Sequence, residues 1–284
     1  MKAKTYIDAA SFLRDTQADL ELNEAANSLM LGICGQLVRF PERVKTAPCL
    51  KTVEDHHGLV LTAVMTPPHK LVVVGHRGDL EAATAILVKD LVGEGWQVPG
   101  VLGPSEVAKG VAERWAEVAR TGSCLERRQR VYELREVMSP VPERGSLRLA
   151  REAEIELVAQ WWVAFHIDVF GEADREGAWN AAELRIGNGD IYLWEDRMPV
   201  SLAMKNRPTR SGISVSLVYT PPEQRGRGYA TACVGELSRA LLASGWGYCA
   251  LFADLSNAAA NRMYQRIGYR PACDYDEYAF LDGE

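Results

Sequence analysis

The stretch SLVYTPPEQRGRGYAT, Ser216 to Thr231, decides how this chain is read. Just upstream, Ile213, Val215, Leu217 and Tyr219 alternate with smaller residues, the period of a half-buried strand. Downstream, Ala230, Cys233, Val234, Leu237 and Leu241 recur at helical spacing. Gln224, Arg225, Gly226, Arg227, Gly228, Tyr229 and Ala230 therefore join the end of a strand to the start of a helix. A helix start leaves backbone N–H groups unpaired and carries partial positive charge, so it is a ready anion site. Gly226 and Gly228 let the loop curl and bring its amides to a phosphate, while Ala230 keeps the first turn thin and Arg225 and Arg227 add charge. Taken by itself the Gly-x-Gly loop is a weak signal, and it reads first as an ordinary strand-to-helix turn.

Two familiar phosphate loops can be tested against it. A P-loop places Lys and then Ser or Thr after its last glycine, and this chain has Tyr229 and Ala230 there, so nucleotide hydrolysis is unsupported. A dinucleotide fingerprint needs GxGxxG or GxGxxA, but from Gly226 its last position is Thr231, and Pro221 and Pro222 sit badly at the end of a central strand. Asp254, which ends the next strand, is all that keeps that reading open.

Specificity comes from further along. Tyr248 to Ala253, YCALFA, is a continuous apolar run suited to a strand buried on both faces. It is followed by LSNAAANRMYQRIGY, Leu255 to Tyr269, in which Asn257 and Tyr264 stand seven apart, two helical turns, and so share a side.

With both segments in hand, the second half resembles the GNAT superfamily of acyl-CoA-dependent N-acetyltransferases. The strand ending Val218, Tyr219, Thr220, the QRGRGYA loop in the family's Q/R-x-x-G-x-G/A position, and the N-x-x-A-x-x-x-Y-x-x-x-G-Y/F run from Asn257 through Ala260 and Tyr264 to Gly268 and Tyr269 carry the likeness, which covers roughly residues 146–280. The resemblance implies an α/β (α+β) fold: tandem GNAT-like domains, each a central mixed, mostly antiparallel twisted sheet flanked by helices, with a splayed strand pair binding the cofactor. It implies acetyl-CoA (coenzyme A) as cosubstrate. The diphosphate would lie on the amides of Gln224 to Thr231, and the pantetheine arm on the strand edge at Val218, Tyr219 and Thr220, steadied by Asn257. Tyr264 would face the thioester sulfur as proton donor to the leaving thiolate.

The acceptor is expected to be a small-molecule or peptide amine. An alkylamine of pKa near 10.4 is only ~0.04% neutral at pH 7, a handicap of about 4.6 kcal/mol that a base or a desolvating pocket must offset. Some members of the superfamily hold a glutamate on the strand before the loop, but GISVSLVY carries no carboxylate. Glu195, Asp196, Asp168 and Glu172 read as solvated acids. Phe165, His166, Phe170 and Trp179 fall where the family builds its acceptor pocket, although aromatic residues on helices also form cores.

The remainder of the sequence sets bounds. With 284 residues, 47% hydrophobic and 25% charged, the chain has ordinary globular composition and length for about two domains. Its net charge of -6 lacks the basic field of a nucleic-acid binder. No apolar run approaches a membrane span, and a soluble cytoplasmic protein is expected. Six dispersed cysteines form no CxxC pair and read as reduced, buried thiols, and five histidines show no ligand spacing, so no metal is expected.

SPVPERGS, Ser139 to Ser146, interrupts periodic sequence on both sides and is read as a linker, giving a degenerate GNAT-like domain 1–138, a linker 139–146 and a catalytic domain 147–284. In the first half a helical pattern over 21–39 precedes strands at 50–53, 59–64, 71–75 and 98–102, with helices over 80–93 and from about 105 to 120. The loop after LVVVG reads HRGDLEAAT, with no QxxGxG, and no asparagine and tyrosine stand seven apart after the next strand. That half is expected not to bind cofactor. The rival reading of the whole chain is a non-catalytic acyl-CoA sensor or interaction module.

Overall fold

A computed structural model describes residues 1–43, 46–138, 140 and 144–281. Of the expected linker, residues 139 and 141–143 lie outside these. Two compact units result, and the division is not a single cut. The first comprises 1–132, 252–258 and the residues from 271 onward; the second comprises 133–251 and 259–270.

The first unit begins with β1 (Lys2–Thr5), α1 (Ala9–Glu21) and α2 (Ser28–Arg39). The expected helix over 21–39 begins only at Ser28, as α2, and the helix before it, α1, was not expected. Asp8 accepts from the Ser11 amide to start α1, and the chain turns at residues 22–27. The polar spacing in SFLRDTQADLE hid α1, whose buried stripe is only Ala9, Phe12, Thr16 and Leu20.

Strands β2 (Cys49–Asp55) and β3 (Gly58–Met65) form the expected hairpin, and β4 (Leu71–Gly75) adds antiparallel. After α3 (Leu80–Gly93), β5 (Gly100–Pro104) lies parallel to β4, and α4 (Ser105–Ala119) and β6 (Ser123–Leu134) follow. α3 and α4 cover one core, which includes Leu61, Val73, Leu87 and Val111, while α1 and α2 cover another containing Leu50, Val64 and Val74. The next neighbour of β5 is β12 (Arg270–Phe280), the final strand of the chain, paired antiparallel from Tyr275 opposite Pro104 to Ala279 opposite Gly100.

The second unit holds β7 (Ser146–Leu149), α5 (Ile155–Phe170), α6 (Arg175–Gly187), β8 (Ile191–Asp196), β9 (Met198–Asn206), β10 (Gly212–Tyr219), α7 (Tyr229–Ala243), most of β11 (Tyr248–Asp254) and most of α8 (Ala258–Ile267). β7, β8, β9 and β10 are successively antiparallel, and β10 is parallel to β11. Side chains alternate between faces. Leu193, Leu202, Leu217 and Tyr219 pack under α5 and α6, whereas α7 covers the other face with Cys233, Val234, Leu237 and Leu241. Burial pushes the Cys233 and Cys249 thiols up to about 12, which leaves them unreactive. Among the described residues no helix is long and apolar enough to cross a membrane, and no group of three His, Cys, Asp or Glu is placed to hold a metal ion.

Candidate functional site

The site is built on a strand that fails to stay regular. β10 pairs with β11 from Gly212 opposite Tyr248 to Ser214 opposite Ala250, and then runs on to Tyr219. Its register with β9 slips between Ser216 and Tyr219, where Leu217 takes a left-handed backbone, φ +50. A bulge of this kind bends a strand and re-aims its backbone groups. A buried leucine holds that conformation only because the packing of its side chain over-determines it. Nothing in the sequence flagged Leu217; the signal is long-range pairing.

Beyond the bulge, Ser201 secures the strand end: its hydroxyl donates to the Tyr219 carbonyl at 3.1 Å and meets the Thr220 hydroxyl at 2.9 Å. The two prolines stop the ladder, and a single 3-10 turn, Pro222–Gln224, leads to Arg225. Gly226 and Gly228 are both left-handed, φ +78 and +81, and a Cβ built on either would meet nothing within 4 Å among the described residues. Both glycines therefore serve backbone shape. Gly228 is the N-cap of α7 and supplies no side chain, so the helix start is uncapped by protein and carries its dipole into an exposed loop. Such an arrangement accepts a phosphate without rearrangement.

The arginines divide their work. Arg225 donates from Nε to the Thr220 carbonyl at 2.9 Å, pairs with Asp168 at 2.6 Å and lies over the Tyr219 ring. It is a strut between α5 and the strand end. Arg227 instead lines a cavity of about 560 Å³ beside the helix start, with Arg144, Trp194, Gly228, Tyr229 and Thr231. Tyr229 donates its hydroxyl to Asp196 at 2.8 Å on the wall of that cavity, and the buried Nε1 donor of Trp194 has no hydrogen-bond partner among the described residues. The acids read as solvated are thus largely engaged: Asp168 by Arg225, Asp196 by Tyr229 and Glu195 by Arg148.

Asn257 lies immediately before α8, its amide donating to the Asp254 carbonyl at 3.1 Å, and Tyr264 lies in the second turn of that helix. The Asp254 carboxylate accepts the Ser256 amide at 2.7 Å and so shapes this turn. Tyr264 is buried, 7% exposed, with its ring edge-on to Tyr269 at 5.9 Å, and burial raises its phenol well above the usual range.

On α5, Phe165, His166 and Phe170 form one ring cluster. His166 is 5.5 Å from Phe165 and 5.3 Å from Phe170, and Phe165 is 6.5 Å from Phe170. Trp179, on α6, is half-exposed, as is Phe170. The sequence reading missed Trp161 and Trp162. Trp161 faces the Tyr219 ring at 6.1 Å, and Trp162 stacks on His166.

The first unit offers a contrast. Its equivalent helix, α3, is capped by the Asp79 carboxylate, which accepts from the Ala82 amide at 3.0 Å and so occupies the place an anion would take. At Gly103 the β5 backbone lies so close to the Val73 carbonyl that a Cβ would collide with it, so β4 and β5 stay together.

The chain is similar to known proteins along most of its length. Residues 200–279 match the family model described as FR47-like protein. The chain is 21% identical over 290 residues to the mycothiol acetyltransferase of Beutenbergia cavernae, covering 87% of this chain and 95% of that one. Among solved structures, the GCN5-related N-acetyltransferase from Sphaerobacter thermophilus matches with a TM-score of 0.64 at 16% identity, over 97% of this chain and 94% of that one. A tandem GNAT protein from the clavulanic acid biosynthesis pathway matches with a TM-score of 0.55 at 10% identity, over 100% and 99%. The resemblance carried by two short motifs thus extends to the fold of the whole chain.

Proposed function

We propose, for a chain whose fold is that of the tandem GNAT proteins, that it is an acyltransferase moving an acetyl group from acetyl-CoA to a primary amine by direct attack on the thioester. One observation carries the reading: α7 begins uncapped, behind two left-handed glycines, at the end of a strand that leaves its parallel partner after Ser214. The amides of Gly226 to Thr231 would take the diphosphate, with Arg227 adding charge. The bared edge of β10 at Val218, Tyr219 and Thr220 would pair with the pantetheine arm. The name of the Beutenbergia cavernae relative fits this activity, and its match along most of both chains extends the reading to the full chain. Acetyl-CoA would be met in the cytoplasm.

Within this mechanism Tyr264 gives a proton to the departing thiolate. Its burial supports the role, because a phenol held neutral well above the usual range remains a donor throughout the working pH. The first unit, whose α3 is already capped by Asp79, would contribute structure and not cofactor binding. Tyr264→Phe should lower kcat by roughly 10-fold to 10³-fold while acetyl-CoA affinity changes little. Equal losses in both would remove Tyr264 from the chemistry.

A second reading is favoured by one observation: β10 carries no carboxylate to deprotonate an acceptor. A non-catalytic acyl-CoA sensor would need none. Thioester consumption assayed across an amine panel separates the two, since a sensor retains acetyl-CoA on dialysis without acceptor-dependent release of CoA.

A further inference from the structure

An acceptor amine must lose a proton before it can attack; β10 carries no carboxylate, and three of the acids considered for the task are already engaged. Asp168 is bound to Arg225, Asp196 to the Tyr229 hydroxyl, and Glu195 to Arg148. We infer that the acceptor of this proton is Nε2 of His166, an inference that rests on the acyltransferase reading and adds a residue to it.

Three features of the structure carry the inference. First, Nδ1 of His166 lies 2.9 Å from the Trp162 carbonyl oxygen. A carbonyl only accepts, so Nδ1 bears the hydrogen and Nε2 bears the lone pair. Second, the ring is held in place. Trp162 stacks on it at 6.0 Å with planes 5° apart, Phe165 meets it edge-on at 5.5 Å, and Phe170 leans on it at 5.3 Å. Such a base loses little freedom on acting. Third, this part of α5 is fastened to the end of β10. Trp162 and Phe165 pack on the cluster that contains Leu217 and Tyr219, and Trp161 faces Tyr219 at 6.1 Å. Arg225 bonds both the Thr220 carbonyl and Asp168, two residues beyond His166. The imidazole thus touches two of the rings that pack on the residues of the bulged strand end, and its neighbours Ile167 and Phe170 are half-exposed.

The ammonium R–NH3⁺ gives one proton to Nε2 and becomes R–NH2, whose lone pair attacks the thioester carbonyl carbon. The C–N bond forms, the C–S bond breaks, and a second N–H proton is lost as sulfur gains one. The imidazolium then releases its proton to water, so one amide, one CoA thiol and one H⁺ result.

His166→Ala and His166→Gln test the inference, with acetyl-CoA retention on dialysis as the check that each variant is folded. Both should retain acetyl-CoA as wild type does, while kcat/KM for an alkylamine acceptor falls by roughly 10² or more. Added imidazole should restore part of the loss in His166→Ala, where it can enter between the flanking rings, and acceptors that are already neutral at the assay pH should be affected least. Activity within about threefold of wild type overturns the inference, as does a loss that imidazole does not restore and that is the same for neutral and protonated acceptors, since that pattern marks a structural ring. Failure of the wild-type protein to release CoA with any amine is a different result, and it would strike the acyltransferase reading beneath.

Discussion

Tyr264, Tyr269 and Tyr275 are buried, and burial raises all three phenols above the usual range. In an unfolded chain a phenol ionises near pH 10. A folded-state value raised above that contributes stability that is complete below about pH 10 and is lost as pH rises beyond it. The melting temperature should therefore show no pH dependence from these phenols between roughly pH 7 and 9, and should drop above about pH 10. Tyrosinate absorbance from the buried set should rise only together with unfolding. A rise well before unfolding would mean that these side chains meet water. The same burial predicts that ionisation of Tyr264 imposes no alkaline limb on turnover below about pH 10. The residues proposed for this site come from the sequence: Tyr264, Asn257 and the two glycines stand at the spacing of the family that the second half resembles. Their conformations do not. Leu217 looks like any strand leucine, and its left-handed backbone exists because β9 and β10 slip register around it.

At the scale of elements, the two helices that follow a parallel strand show what a cap decides. α3 closes its own start with Asp79, whereas α7 begins at Gly228 with no side-chain cap on its first amides. Gly228→Ala should cost about 1 to 2 kcal/mol, because the new Cβ meets open space and the penalty comes only from φ +81. Urea unfolding measures that loss. Acetyl-CoA affinity should fall as well, since the loop relaxes away from the shape that aims its amides. A variant with unchanged affinity would show that the loop does not hold the diphosphate. Helices and apolar strands of the second unit were readable from periodicity. The charged strands were not: β6 contains LERRQR and β12 contains CDYDEY, sequences without alternation. Arg130 and Asp274 pair at 2.5 Å, and Lys70 holds Glu277 at 2.8 Å, so complementary charge contributes where side-chain hydrophobicity is low.

At the scale of the whole molecule, the chain does not fold as two successive halves. The last strand, β12, completes the first unit: Tyr275 is buried and donates to the Ala26 carbonyl at 2.9 Å, and Phe280 stacks on Trp115 at 5.2 Å. Residues 1–138 expressed alone should aggregate or unfold without cooperativity, because β5 would be left as an open edge. Appending residues 270–281 through a flexible linker should restore a cooperative transition by circular dichroism. A cooperative 1–138 fragment would refute this dependence. The sequence by itself determined the loop, its flanking strand and helix, and the spacing from Asn257 to Tyr264, because these are local: each depends on residues a few turns apart. Only the tertiary structure decided the bulge at Leu217, the clamp of α5 on the strand end through Arg225, the tautomer and setting of His166, and the place of β12. Each of these is fixed by partners beyond the local segment, where register and packing choose among conformations that local sequence leaves equally open.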